Sequence, residues 1–483
     1  MRHSSVPNVP TQLFLGGEWR DASDGGVFDV DNPATGEAIA VVASATIEDG
    51  MAALDAAEKA FPDWAARKPR ERGEVLRKAF DLIIAQQEEL ARLITMENGK
   101  ALPDSRAEIA YAAEFFRWSS EEAVRVVGDL TRGPASGARI LIDHRPAGIA
   151  LLVTPWNFPA AMATRKIGPA LAAGCPVILK PASETPLTML ALMPILEQAG
   201  VPKGVISVLP SRNSGKLVDA LLHDPRVRVV SFTGSTEVGR LLLKSAADNI
   251  VTPAMELGGN APFVVLDDAD IEQAVSGAIV AKMRNIGEAC TAANRFYVHE
   301  KVHDAFARKL ADRMGAMKIG NGLEDGVEVG SLVNRETRDK VVELVDDAVK
   351  RGARILTGGN IPNGAGHFYP PTVLVDVPAD ARCFHEEIFG PVAPLARISG
   401  DDEAVKLCND TPYGLVAYVF TKDMKRGLAF SERLQFGMVG LNRGLVSDPA
   451  AAFGGMKQSG IGREGGHYGI MEFLEVQYIS AEW

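Results

Sequence analysis

The chain has 483 residues, 46% of them hydrophobic and 23% charged, with a net charge of −11. Length and composition point to about two to four globular domains. They exclude some classes: no basic arm suits nucleic acid, and the longest apolar runs, such as "GIALLV" at 148–153, are too short to span a bilayer. The opening "MRHSSVPNVP" lacks the apolar centre of a signal peptide. The four cysteines, 175, 290, 383 and 408, form no CxxC pair and no metal-finger spacing. A reducing, cytoplasmic location is the expectation.

Residues 48–118 read as helix-rich. Leu76, Ala79, Phe80, Ile83 and Ile84 recur at helical spacing and predict one buried face. From about 148 short apolar runs alternate with helical stretches: "IALLVT", "PVILKP", "VISVLP" and "VRVVSFTG". This alternation predicts a parallel, doubly wound sheet. Cys175, at a strand entrance, reads as an inert small hydrophobe. In "TPLTMLALMPILEQAG", Thr185 is the predicted helix cap, Pro186 lies in the first turn and Gly200 is the stop. A second alternating block runs from 261 to about 440 and includes helices over 301–317 and 335–351. The Gly-rich "MELGGNAP" (255–262) joins the blocks, so two domains meet at a cleft. The tail "FLEVQYIS" (473–480) alternates as a strand does, and a terminal strand often pairs with another subunit.

Several residues invite a chemical reading beside an ordinary structural one. "SFTGSTEVG" (231–239) runs a strand into a helix. Gly234 permits close backbone approach, and the helix N-terminus attracts phosphate. Otherwise Ser235 is a simple cap, with Glu237 in the first turn. Lys180 ends a buried strand, where open sheets face their ligand crevice, or it escapes to solvent. "HEKVH" (299–303) matches a zinc-hydrolase pattern. However, "RFYV" reads as a strand running into His299, while His303 falls on the next helix. A zinc site is rejected, and both histidines are expected at the surface. Glu256 and Asn157 end apolar runs, as turn residues, or as a general base and an oxyanion donor. Cys290 in "NIGEACTAANRF" has only small neighbours. It is either an inert thiol or a nucleophile.

Taken together, "TPWNFP", "LKPASETP", "FTGSTEVG", "MELGGN", "NIGEACTAANRF", "EEIFGPV" and "FGGMKQSGIGREGG" resemble the aldehyde dehydrogenase superfamily, in that family's order and over nearly the whole chain. The resemblance implies two doubly wound α/β domains, one Rossmann-like and cofactor-binding and one catalytic. A small β element for oligomerisation completes a homodimer or homotetramer. On this basis 1–120 and 146–255 form the NAD(P)-binding domain and 256–440 the catalytic domain. Residues 121–145 and 470–483 form the oligomerisation element, and 441–469 return to the cofactor domain and substrate entrance.

The resemblance also implies roles. Cys290 attacks the aldehyde carbon, and Asn157 with the Cys290 amide holds the oxyanion. Hydride passes to the nicotinamide, and Glu256 activates water against the thioester. Lys180 contacts the adenine ribose, Ser235 the pyrophosphate and Glu387 the nicotinamide ribose, with Phe389 beside it. Thr154, Pro155, Trp156, Gly234, Val238 and Leu257 complete the cofactor set. Where many NAD-preferring members place glutamate, this chain has Ser183, followed by Glu184, and both belong to the implied cofactor set. Serine leaves room for a 2′-phosphate, so NADP is slightly favoured over NAD.

Within the superfamily, "GLVSDPAAAFGG" and the Gly-rich segment after it are most similar to succinate-semialdehyde dehydrogenases. That branch implies that Arg165, Arg284 and Ser447 hold the distal carboxylate, with Phe453 beside them. A guanidinium fork suits a carboxylate geometrically. Glutarate and 2-oxoglutarate semialdehyde need the same anchors and a longer tunnel. A zinc hydrolase and a non-catalytic NAD(P)-binding homologue are the rivals from other classes.

Overall fold

The structure, a computed structural model, describes residues 9–483. Its central element is an eight-stranded sheet. Thr252–Glu256, Val227–Thr233, Ile149–Val153, Val177–Lys180 and Ile206–Val208 lie side by side in that order and run parallel. Gly460–Ile461 adds antiparallel to one edge, and Leu13–Leu15 with Glu18–Arg20 adds to the other. Every residue of Ile149–Val153 is buried, as expected of a parallel strand covered on both faces by crossover helices. Those helices are Ala161–Ala173, Leu187–Ala199, Ser214–Leu222 and Thr236–Asp248. The first two stop at Gly174 and Gly200, whose φ angles of 100° and 109° are the left-handed turn glycine adopts without strain.

A second, seven-stranded sheet has the order Arg354–Thr357, Thr372–Val375, Val392–Ile398, Ala293–His299, Ala261–Val265, Val416–Phe420, Met438–Leu441. Only Arg354–Thr357 is antiparallel to its neighbour. The chain passes from the first sheet to the second through residues 257–260 and returns through 442–459 to Gly460–Ile461, which pairs with Glu256, so Glu256 sits where the two meet. Leu474–Ala481 pairs antiparallel with Arg139–Pro146, which pairs with Asp129–Arg132, in a separate three-stranded sheet. The predicted tail strand is therefore present.

Three local expectations need correction. Ile84 is exposed and Phe80 half-buried, so the buried face of Pro69–Ala85 is narrower than the spacing implied. Arg77 and Arg117 cover the Phe80 ring instead, 5.3 and 5.6 Å from its centroid. Thr185 does not cap Leu187–Ala199. The Glu97 carboxylate does so from another helix, accepting from the Leu187 and Thr188 amides at 2.8 and 2.9 Å. His299 and His303 are buried rather than superficial. His299 ends its strand and accepts from the Lys301 amide, and His303 lies in the first turn of the helix Glu300–Gly315 beside Asp304. The two rings therefore do not share a helix face as the zinc motif requires.

Candidate active site

Cys290 follows an irregular turn between the helix Ile271–Met283 and the strand Ala293–His299. Asn285, Ile286 and Gly287 take φ angles of 53°, 59° and 78° in succession. For a β-branched isoleucine this conformation costs about 1–3 kcal/mol, so its surroundings must impose it. The Asn285 amide donates to Asp104 at 3.1 Å, and its side chain donates to the carbonyls of Asn157 and Glu288 at 2.9 and 2.8 Å. A Cβ on Gly287 would lie 2.3 Å from the Gly390 carbonyl, and one on Gly259 would lie 2.4 Å from the Cys290 carbonyl. Glycine at these two positions lets three loops close around the cysteine.

Cys290 is the half-buried member of four free cysteines; Cys175, Cys383 and Cys408 are fully buried. It stands on the wall of two cavities. The larger, about 740 Å³, is bounded by Pro155, Trp156, Asn157, Glu184, Gly234, Ser235, Leu257, Glu387 and Phe389. All nine carry a predicted role. Trp156 and Phe389 meet edge to face at 5.3 Å. The Thr233 hydroxyl, also on this wall, is buried without a hydrogen-bond partner. Glu387 accepts from the Gly259 amide at 3.1 Å; burial pushes its carboxyl up to about 7, opposed by that bond and by Lys340. Ser235, on this wall, caps the helix Thr236–Asp248 by accepting from the Val238 amide at 3.3 Å. The helix Arg335–Lys350 contributes Thr337 and Lys340 to the wall; its sequence carried no signal for this.

Four predicted cofactor residues do not line this cavity: Thr154, Lys180, Ser183 and Val238. Thr154 is buried and its amide donates to the Lys180 carbonyl. Lys180 is buried, not extended to solvent, and donates to Ser214 at 3.0 Å. Burial lowers its ammonium to about 8, partly offset by Glu184. Ser183 donates to Glu184 at 3.1 Å. Val238 is exposed.

The second pocket is narrow and collects Arg165, Arg284, Ser447 and Phe453 around Cys290. Arg284 donates to the Ser447 hydroxyl at 3.2 Å and lies over the Phe158 ring at 4.8 Å. Arg165 stacks on Phe453 at 4.2 Å and is ion-paired with Glu464, which also holds Lys166. Among the described residues, no carboxylate lies within ion-pair distance of Arg284. Tyr111, Phe158 and Met162 complete the wall.

Glu256 lines neither cavity. It is buried beside Gly454, where an added Cβ would stand 2.8 Å from its carboxyl, and neither carboxyl oxygen has a hydrogen-bond partner. Burial, reinforced by Glu464, holds this carboxyl well above the ordinary range against the pull of Arg165 and Lys166. The Cys290 thiol is likewise pushed up to about 12 by burial, with Arg165 and Arg284 favouring its anion and Glu256 and Glu387 opposing it. Asn157 spends an amide proton on the Glu288 carbonyl at 3.0 Å, which leaves its second N–H for a ligand. Lys100 fixes the Asn157 backbone by donating to its carbonyl at 2.6 Å while paired with Glu108.

The aldehyde dehydrogenase family model matches residues 19–479. Glutarate-semialdehyde dehydrogenase of Pseudomonas putida is 48% identical over 468 residues, covering 97% of each chain. The NADP(+) succinate-semialdehyde dehydrogenase of Escherichia coli K12 is 46% identical over 468 residues, again covering 97% of each. The crystal structure of succinate-semialdehyde dehydrogenase from Burkholderia pseudomallei superposes with a TM-score of 0.97 at 45% identity over 99% of both chains. On the family match across residues 19–479 and on identities of 46–48% over nearly the whole chain, the chain belongs to the aldehyde dehydrogenase family.

Proposed function

We propose that this protein oxidises short aldehydes bearing a distal carboxylate to the corresponding acids, with NAD(P) as oxidant and succinate semialdehyde as first candidate. The observation that carries this is the narrow pocket at Cys290 with two guanidinium groups, one of which, Arg284, has no carboxylate partner. Arg284 is half-buried and bonded only to the neutral Ser447 hydroxyl, so a substrate carboxylate supplies the counter-charge that the pocket lacks. The relative in Pseudomonas putida named for glutarate semialdehyde supports a five-carbon substrate as the second reading. 2-Oxoglutarate semialdehyde carries the same anionic end.

In this reading the aldehyde lies with its carboxylate between Arg165, Arg284 and Ser447 and its carbonyl carbon at the Cys290 sulfur. Attack gives a thiohemiacetal whose oxyanion is held by the free Asn157 N–H and the Cys290 amide. A nicotinamide held in the larger cavity would supply the hydride acceptor for that carbon, and Cys290 would retain the acyl group as a thioester. Glu256 then takes a proton from water as it attacks the thioester. A carboxyl raised by burial is a stronger base than an exposed one. Fixing the carboxylate turns the encounter of carbonyl and sulfur into a local event.

The larger cavity fits a dinucleotide: its volume, the helix N-terminus at Ser235, the unpartnered Thr233 hydroxyl and Glu387 supply room and polar contacts. Lys180 with Ser214 and Ser183 would meet the adenine ribose, and Thr154 and Val238 would flank the dinucleotide. Ser183 leaves room for a 2′-phosphate, whereas the Glu184 carboxylate to which it donates lines the cavity and opposes one, so both NADP and NAD are carried as cofactors. Residues 1–120 with 146–255 are assigned to cofactor binding and 256–440 to catalysis, with 441–469 closing the entrance. Residues 121–145 and 470–483 are assigned to assembly as a homodimer or homotetramer. Their sheet exposes Leu130, Val476 and Tyr478. A cytoplasmic location suits the free thiol. No helix among the described residues is long and apolar enough to cross a membrane.

The test is a panel of aldehydes matched in length, with and without a terminal carboxylate, assayed with NAD and NADP. A preference for the carboxylated members supports the reading; equal specificity constants overturn it.

A further inference from the structure

The narrow pocket contains a polar group to which nothing above gives a role. The Tyr111 hydroxyl is sealed from solvent and lacks a well-formed hydrogen bond, with Arg165 and Ser447 beside it. Its ring packs edge to face on Phe115 at 4.7 Å and lies under the Arg284 guanidinium at 5.6 Å. Arg165, Arg284 and Ser447 are the polar groups that act on its oxygen. A buried hydroxyl without a partner costs about 1–3 kcal/mol, and phenylalanine would fill the same space without that penalty.

The placement of Tyr111 is as constrained as that of the arginines. It lies on the helix Leu102–Glu122, one face of which carries Asp104, Glu108 and Tyr111 at i, i+4 and i+7. Asp104 accepts from the amide of Asn285 in the strained turn that carries Arg284. Glu108 accepts from the amides of Ala160 and Ala161, which open the helix that carries Arg165. One rigid surface therefore fixes the phenol relative to both guanidinium groups. Their donors are partly committed. Arg165 faces Glu464 through Nε and Met162 through Nη2, and Arg284 gives one N–H to Ser447. A carboxylate offers about four acceptor sites, so it can use a further donor here.

We propose that Tyr111 is a fourth ligand of the substrate anion, its hydroxyl donating to the distal carboxylate that Arg165, Arg284 and Ser447 hold. This deepens the carboxylated-aldehyde reading and rests on it. Against an acceptor of full charge, the missing hydroxyl discriminates by about 10- to 100-fold.

The experiment compares wild type with Tyr111→Phe in two ways. The first is the ratio of kcat/KM for succinate semialdehyde to that for butanal. The second is the thermal shift that succinate, an unreactive dicarboxylate, produces in the cofactor-free enzyme. The expected result is that the ratio falls by about 10- to 100-fold, mainly through KM, and that succinate binds correspondingly more weakly. If wild type itself neither discriminates nor binds succinate, the substrate reading fails, and this proposal with it. If wild type does both and the variant matches it, Tyr111 alone is rejected. A variant that no longer folds would show the hydroxyl to be structural and would also overturn the proposal.

Discussion

Removing Arg284 separates substrate anchoring from folding. In the Arg284→Ala variant the pocket keeps Arg165, but that group is already paired with Glu464. The lost guanidinium contributes stacking over Phe158 at 4.8 Å and Tyr111 at 5.6 Å, each worth about 0.5–1 kcal/mol. No ion pair to Arg284 is broken, and Asp104, which also feels its charge, retains Lys100. The folded state should therefore lose about 1–2 kcal/mol, and the protein should remain folded. Catalysis is a different matter. Truncating one partner of a desolvated charge pair costs about 2–5 kcal/mol, which is about 30-fold to several thousand-fold in kcat/KM. That loss should fall on succinate semialdehyde and largely spare butanal, an aldehyde of the same chain length with no charge to anchor. The assay is steady-state kinetics on both aldehydes with saturating cofactor, beside a melting curve for each protein. Equal losses on the two substrates would refute the anchor, whatever their size.

Cys290→Ala should abolish oxidation while cofactor binding, followed by protein fluorescence, stays close to wild type; residual turnover above background would reject Cys290 as nucleophile. Glu256→Gln should leave an initial burst of reduced cofactor and slow the steady state by about 10²- to 10⁴-fold, the range for general acid–base groups; an unaltered steady-state rate would reject the base. The pH response of the thiol follows from its burial. With the free enzyme's Cys290 held at about 12, its anion is the minor form at neutral pH. Its alkylation by iodoacetamide should then rise about tenfold per pH unit from pH 6 to 9, because only the thiolate reacts. A plateau below pH 9 would contradict this electrostatic picture.

Much of this arrangement was legible in the chain because it depends on local pattern. Runs such as "IALLV" and "PVILK" declared the parallel sheet, and the small residues around Cys290 declared a loop that could admit a substrate. The histidines of "HEKVH" could be split between strand and helix by periodicity alone. Burial was less legible. Residues His299 and His303 look polar in sequence, yet the strand–helix corner packs both inside. The helix cap at Leu187 was missed because Glu97 reaches it across a sequence separation of 90 residues. Glu464 and Lys166 are 298 residues apart, and no local spacing announces that their contact braces Arg165. Tyr111 lies on a helix whose pattern reads as packing, and only the tertiary fold brings its hydroxyl to the arginines.

The most direct measurement is to trap the covalent state. Glu256→Gln is mixed with succinate semialdehyde and oxidised cofactor, quenched in acid, and its peptides are examined by mass spectrometry. The account predicts one succinyl group per chain, on the peptide containing Cys290, and none on the peptides of Cys175, Cys383 or Cys408. Cofactor reduction without any acyl group on Cys290, or with the group on another residue, would contradict it.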